Sequence, residues 1–82
     1  MQRYLLQRDM ESKDYNRIKV VLVENKRSNK WLAEQLGKDQ STVSKWCTNT
    51  AQPGLEMLFR IAKCLGVKVQ DLIREEVNNV HS

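Results

Sequence analysis

The residues with the clearest chemistry lie between Gln40 and Lys45. If this stretch is helical, Gln40, Ser41, Ser44 and Lys45 fall within one arc at about 100° per residue, and Val43 and Trp46 fall roughly opposite. Two apolar residues would anchor such a helix, leaving an amide, two hydroxyls and an ammonium facing outward. Those groups suit the edges of base pairs. Gln40 can pair with adenine in bidentate fashion, Lys45 can donate to guanine or to a phosphate, and the two serines adjust the fit. A protein-docking face would show apolar or aromatic anchors instead, and an RNA reader would show stacking aromatics. The pattern therefore favours double-stranded DNA as partner. A protein–protein interaction module on the same helical scaffold is the alternative, because a fold does not set its function.

Charge points the same way. The 82 residues carry a formal net charge of +4. Between residues 25 and 52, Lys26, Arg27, Lys30, Lys38 and Lys45 stand against Glu34 and Asp39, a net of +3. From Gln70 onward, Arg74 stands against Asp71, Glu75 and Glu76, a net of −2. Positive charge thus gathers around the polar helix, as a footprint for phosphates would. Catalysis has little to rest on. The only histidine is His81, no serine or cysteine has a base within one motif, and no glycine-rich loop or carboxylate group suggests phosphate or metal chemistry. Cys47 and Cys64 do not have a zinc spacing. Cys64 reads as a small packed hydrophobe and Cys47 as a partly exposed thiol. No enzyme activity, metal or cofactor is expected.

The elements that must position this face can be read in order. Length allows one domain with a small core. Residues 1–14, with Tyr4, Leu5, Leu6 and Met10, show no clear period and form an extension. A frayed end, a short helix or strand, and an arm that orders on a partner are all open, and Met10 is a second possible start. A first helix is expected from Asp14 or Tyr15 to Asn25, burying Ile18, Val21 and Leu22 at i, i+3, i+4, with Asn25 or Lys26 at its end. A second helix follows the N-cap Ser28, turns Leu32, Ala33 and Leu36 inward, and stops at Gly37, which enters the left-handed conformation without strain. Trp31 either covers the gap beside this helix or packs on a sugar-phosphate backbone. The third helix opens at Asp39, whose carboxylate can accept from first-turn amides. The stretch from Cys47 to Leu55, rich in turn formers, is a loop that leads into the next helix, with Asn49 suited to positive φ. A fourth helix, Leu55 to Leu65, places Leu55, Leu58, Ile61, Ala62 and Leu65 in one apolar stripe and Phe59 at its border, and Gly66 ends it. A fifth, around Gln70 to Arg74, turns Leu72 and Ile73 inward. Val77 and Val80 keep i, i+4, i+7 spacing with Ile73, so this helix either continues or frays. The domain spans 15–74, with a tail at 75–82. The longest apolar run, Val20 to Val23, is too short for a transmembrane helix, and the first ten residues lack a signal-peptide core. A cytoplasmic protein is expected.

The stretch from Asn29 to Trp46 resembles the helix-turn-helix of the phage repressor and Cro family, the Xre-type regulators. The matching residues are Leu32-Ala33, Leu36-Gly37, Ser41-Thr42-Val43-Ser44 and Trp46. They continue through Gln52-Pro53, Leu55-Glu56, Leu58, Ile61-Ala62 and Leu65-Gly66-Val67. The chain departs from the family pattern at Arg27 and Lys38, usually apolar, at Trp31, often glutamate, and at Cys47, often polar or acidic. The resemblance implies an all-α, five-helix repressor-like bundle whose second and third helices form the helix-turn-helix. It implies transcriptional regulation, with repression the leading mode.

In that arrangement the third helix lies in the major groove with Gln40, Ser41, Ser44 and Lys45 on the bases. Asn29 and Lys30 meet a phosphate at the N-terminus of the second helix. Arg27, Lys38, Thr42, Thr48, Asn49 and Thr50 are further phosphate candidates that set register. One such helix touches too few base pairs to select a genomic site, and family members commonly bind as dimers. The contact expected here is Phe59 with Ile73, Val77 and Val80, giving a homodimer on an inverted-repeat operator, formed either in the free protein or only on DNA. No small-molecule ligand and no membrane partner is expected.

Overall fold

The computed structural model describes residues 14–74, in which four α-helices are followed by a short 3-10 turn. The helices are α1 (Ile18–Glu24), α2 (Asn29–Leu36), α3 (Gln40–Cys47) and α4 (Leu55–Leu65), and the turn is Val69–Leu72. The all-α class is as expected. The fifth element is not a helix over Gln70 to Arg74 but this single 3-10 turn. Asp71 closes it by accepting the Lys68 amide at 3.1 Å. Ile73 beyond it is extended (φ −111, ψ 136), which ends the turn.

The same pairing corrects the start of α1. Asn16 bridges Ile73 in antiparallel fashion. The Arg17 amide donates to Leu72 O, and the Arg74 amide to Tyr15 O, each at 2.8 Å. Residues 15–17 are therefore paired with 72–74, and the helix begins only at Ile18. An exposed ion pair joins Asp14 to Arg74 at 3.5 Å, the kind that adds little stability.

Each helix ends on a residue in the left-handed region: Lys26 (φ 55), Gly37 (φ 69), Asn49 (φ 60) and Gly66 (φ 68). After each, the next amide reaches back five residues: Arg27 to Leu22 O, Lys38 to Ala33 O, Thr50 to Lys45 O and Val67 to Ala62 O, at 2.9–3.0 Å. This motif satisfies carbonyls that the helix leaves unpaired. A Cβ at Gly37 would touch nothing, so glycine is required there by conformation alone. At the other ends, Ser28 caps α2 by accepting the Trp31 amide at 3.0 Å. Asp39 precedes α3 in extended conformation, but its carboxylate accepts the Thr42 hydroxyl at 3.4 Å rather than an amide.

The core joins Ile18, Val21 and Leu22 of α1, Leu32, Ala33 and Leu36 of α2, Val43 and Trp46 of α3, Ile61, Ala62 and Leu65 of α4, and Leu72. Small Ala33 sits in the close packing between α2 and α3. Two expected core residues are elsewhere. Leu55 is 68 % exposed and Ile73 is 42 % exposed. Leu55 is the first residue of α4, ahead of the turns that meet the other helices. Ile73 follows the last helical residue on extended backbone, where Leu72 takes the inward direction. Leu58 is half-buried against the core.

Candidate nucleic-acid interface

The base-reading candidates hold their expected place. Val43 and Trp46 are buried, and Gln40, Ser41 and Lys45 are exposed. Ser44 is half-buried because α2 reaches it: Asn29 Nδ2 donates to Ser44 Oγ at 3.3 Å. The other end of that amide is held as well, with Cys47 Sγ donating to Asn29 Oδ1 at 3.3 Å. The side chain of Asn29 is thus oriented by two residues of α3 one turn apart. Among the described residues its second amide hydrogen has no partner, and it lies beside the Asn29 and Lys30 backbone amides, which precede the first intrahelical donor, Leu32. Burial pushes the Cys47 thiol above the ordinary thiol range, while the Lys19 ammonium nearby pulls it back. The thiol therefore stays protonated and able to donate.

The phosphate candidates fall into three kinds. Lys30 and Lys38 are exposed at the two ends of α2. Exposed Arg27 lies over the ring of half-buried Trp31, 4.3 Å from its centroid, a cation–π contact that steadies both side chains. Thr42 gives its hydroxyl to Asp39, as above. In the loop after α3, the Thr48 and Thr50 hydroxyls are 2.8 Å apart, and Thr48 Oγ1 also reaches Ser44 O at 3.2 Å. Asn49 is turned inward. Its Nδ2 donates to Asn16 O, and its Oδ1 accepts from the Asn16 amide and from Gln52 Nε2.

Two cations were missed by the sequence reading. Lys19 of α1 stands close enough to Cys47 to influence its thiol. Arg17 donates from Nη1 to Asp71 O at 2.9 Å. Both line a shallow depression bordered by Cys47, Asn49 and Arg74. They place positive charge beside Cys47 at the end of α3, with Asp14 on the same rim. No periodic signal marks them, since the sequence does not say which side of α1 lies beside α3. Among the expected dimer residues, Phe59 is 57 % exposed and shares the outer face of α4 with Leu55 four residues earlier. Ile73 is exposed on the short paired segment, and Val77 and Val80 lie outside the described residues.

A family profile described as helix-turn-helix matches residues 18–72. The chain belongs to the Xre- and Cro-like helix-turn-helix family. Its helix-turn-helix is α2, the turn at Gly37–Asp39, and α3. A crystal structure from Bacteroides fragilis, described as "a putative DNA-binding protein", is similar to it. The two share 53 % identity over 73 % of this chain and 97 % of that chain, with a TM-score of 0.73. A comparison with curated proteins returned no match. Among the described residues, no helix is long and apolar enough to cross a membrane.

Proposed function

We propose that this helix-turn-helix protein binds double-stranded DNA in the major groove and regulates transcription, most simply as a repressor that blocks polymerase. The observation that carries the reading is the division of α3, with Val43 and Trp46 buried and Gln40, Ser41 and Lys45 presented to solvent. Gln40 reads adenine, Lys45 reads guanine or holds a phosphate, and Ser41 and Ser44 shape the fit. Asn29, oriented by Ser44 and Cys47, and Lys30 hold one phosphate at the N-terminus of α2. Lys19, Arg17, Arg27 and Lys38 add cationic contacts that carry affinity but no sequence information. In the loop, Thr48 and Thr50 supply hydroxyls, and Asn49 serves the loop itself.

The protein acts as a homodimer on an inverted repeat. Phe59 and Ile73 are exposed and available to a second copy, and Val77 and Val80 extend the set in sequence. Selection of bound sequences from a random duplex pool tests the reading. The expected product is an inverted repeat with half-site centres roughly 34–36 Å apart, one turn of the duplex. A pool that shows no enrichment over random sequence refutes sequence-specific DNA binding. Enrichment of a single half-site, bound one-to-one, refutes the dimer.

A further inference from the structure

The most buried polar residue of the described chain is not in the helix-turn-helix. Asn16 is 7 % exposed and precedes α1. Its Nδ2 donates to Trp46 O at 2.9 Å and to Gln52 Oε1 at 2.8 Å. Its Oδ1 accepts the Ile18 amide at 2.9 Å. Its own amide donates to Asn49 Oδ1 at 2.9 Å, and its carbonyl accepts from Asn49 Nδ2 at 3.1 Å. Every polar hydrogen of this residue is used, and both its oxygens accept.

Two features give the arrangement a direction. Trp46 O belongs to the last turn of α3, where it already accepts the Asn49 amide at 3.1 Å. A side chain from before α1, two helices earlier in the sequence, adds a second donor to this carbonyl at the end of the proposed reading helix. The paired bonds between Asn16 and Asn49 also copy the double amide pairing of a sheet, with a side chain standing in for backbone. They hold Asn49 at φ 60 and, through Gln52 Nε2 to Asn49 Oδ1 at 3.0 Å, hold the far side of the loop. The loop carrying Thr48 and Thr50 is thereby bolted to the segment before α1 rather than to α3 alone.

We propose that Asn16 and Asn49 are positioning residues for phosphate binding. Neither touches DNA. Together they fix the end of α3 and preset the loop, so that Thr48 and Thr50 meet a phosphate without first being ordered. This rests on the DNA-binding reading above. Preorganisation of this kind raises affinity by removing an ordering cost that binding would otherwise bear.

Three variants test it: Asn49→Gly, Asn16→Ala and the double variant. Glycine keeps the positive φ and removes only the side chain, so Asn49→Gly is the variant that stays folded if Asn16→Ala does not. The first readout is amide hydrogen exchange in the free protein. The Thr50 and Ala51 amides, which donate to Lys45 O at 2.9 and 3.2 Å, are expected to exchange roughly tenfold faster in Asn49→Gly, the scale of one lost hydrogen bond. The Lys38 and Val67 amides, in the same motif at α2 and α4, are expected to be unchanged. The second readout is affinity for the selected duplex over a salt series. Each folded single variant is expected to bind all sequences about five- to tenfold more weakly with the same base preference. Its salt slope should stay parental, because Thr48 and Thr50 are neutral donors and no cationic contact is removed. The double variant should lose no more than either single one, as residues of one unit do. Parental exchange at Thr50 and Ala51 overturns the clasp. Parental affinity in a folded variant, a shallower salt slope, or a changed base preference overturns the positioning role. Loss of affinity in Asn49→Gly but not in folded Asn16→Ala makes Asn49 a direct phosphate contact and also overturns it. Faster loop exchange in a chain whose parent binds no duplex would keep the clasp but refute both its phosphate role and the DNA reading.

Discussion

Trp46→Ala separates the two faces of α3 more sharply than any change on the exposed side. Trp46 is 6 % exposed and packs with the core from the end of α3. Replacing a buried aromatic by alanine removes its transfer energy and leaves a cavity, at a cost of about 3–5 kcal/mol. A chain of this size has a total stability on the order of 4–12 kcal/mol, so the variant loses a large share and in the lower range unfolds. Trp46→Phe keeps most of the volume and should cost less. Leu55→Ala is the internal control. At 68 % exposure its truncation should change stability by less than about 0.5 kcal/mol. Urea unfolding followed by far-ultraviolet circular dichroism measures all three without relying on the fluorescence of the residue being removed. The reasoning fails if Trp46→Ala unfolds at the parental urea concentration yet loses duplex binding, since Trp46 would then face DNA. It fails equally if Leu55→Ala is as damaging as Trp46→Ala, since the core would then extend to the start of α4.

Other outcomes follow from the same geometry. Gln40→Ala should relax preference at one base position at a cost of about 1–3 kcal/mol, whereas Lys19→Ala or Lys38→Ala should weaken all sequences alike and flatten the salt dependence; binding to a panel of single-base operator variants distinguishes them. Lys26→Gly should stabilise the fold by roughly 0.5–1 kcal/mol, because a left-handed non-glycine residue is strained by about 1–2 kcal/mol and the greater freedom of glycine in the unfolded chain returns part of that; a lower urea midpoint would contradict it. Cys47 should make stability fall at alkaline pH. Its thiol is raised by burial, so the unfolded chain gives up the proton first. Its contribution is full below the ordinary thiol range and is lost as pH rises through the folded value. Cys47→Ser does not titrate in that range, so the stability of the parent relative to this variant should decline there, and a difference independent of pH would refute the assignment.

Much of the fold was legible because it rests on local rules. Gly37, Asn49 and Gly66 mark helix ends because few residues accept positive φ, and the spacing of Ile18, Val21 and Leu22, or of Val43 and Trp46, marks which side of a helix goes inward. The polar arc of α3 follows from that same spacing. Lys26 escaped a firm assignment because lysine adopts the left-handed conformation only when the surrounding bonds, here Arg27 to Leu22 O, repay the strain. Leu55 was misplaced because periodicity gives the angle of a residue around a helix axis but not whether a neighbour extends far enough along that axis to cover it. The fifth helix became a 3-10 turn, and α1 began late, because Ile73 and Asn16 pair across the whole domain. Asn16 shows the limit most clearly. As a residue it is an ordinary polar side chain before a helix, and its partners Trp46 and Gln52 lie 30 and 36 positions away. Helix ends and buried faces are set by energies that act within a few residues, so the sequence determined them by itself. A buried amide is satisfied only by groups that folding brings to it, so its role was decided by the tertiary structure.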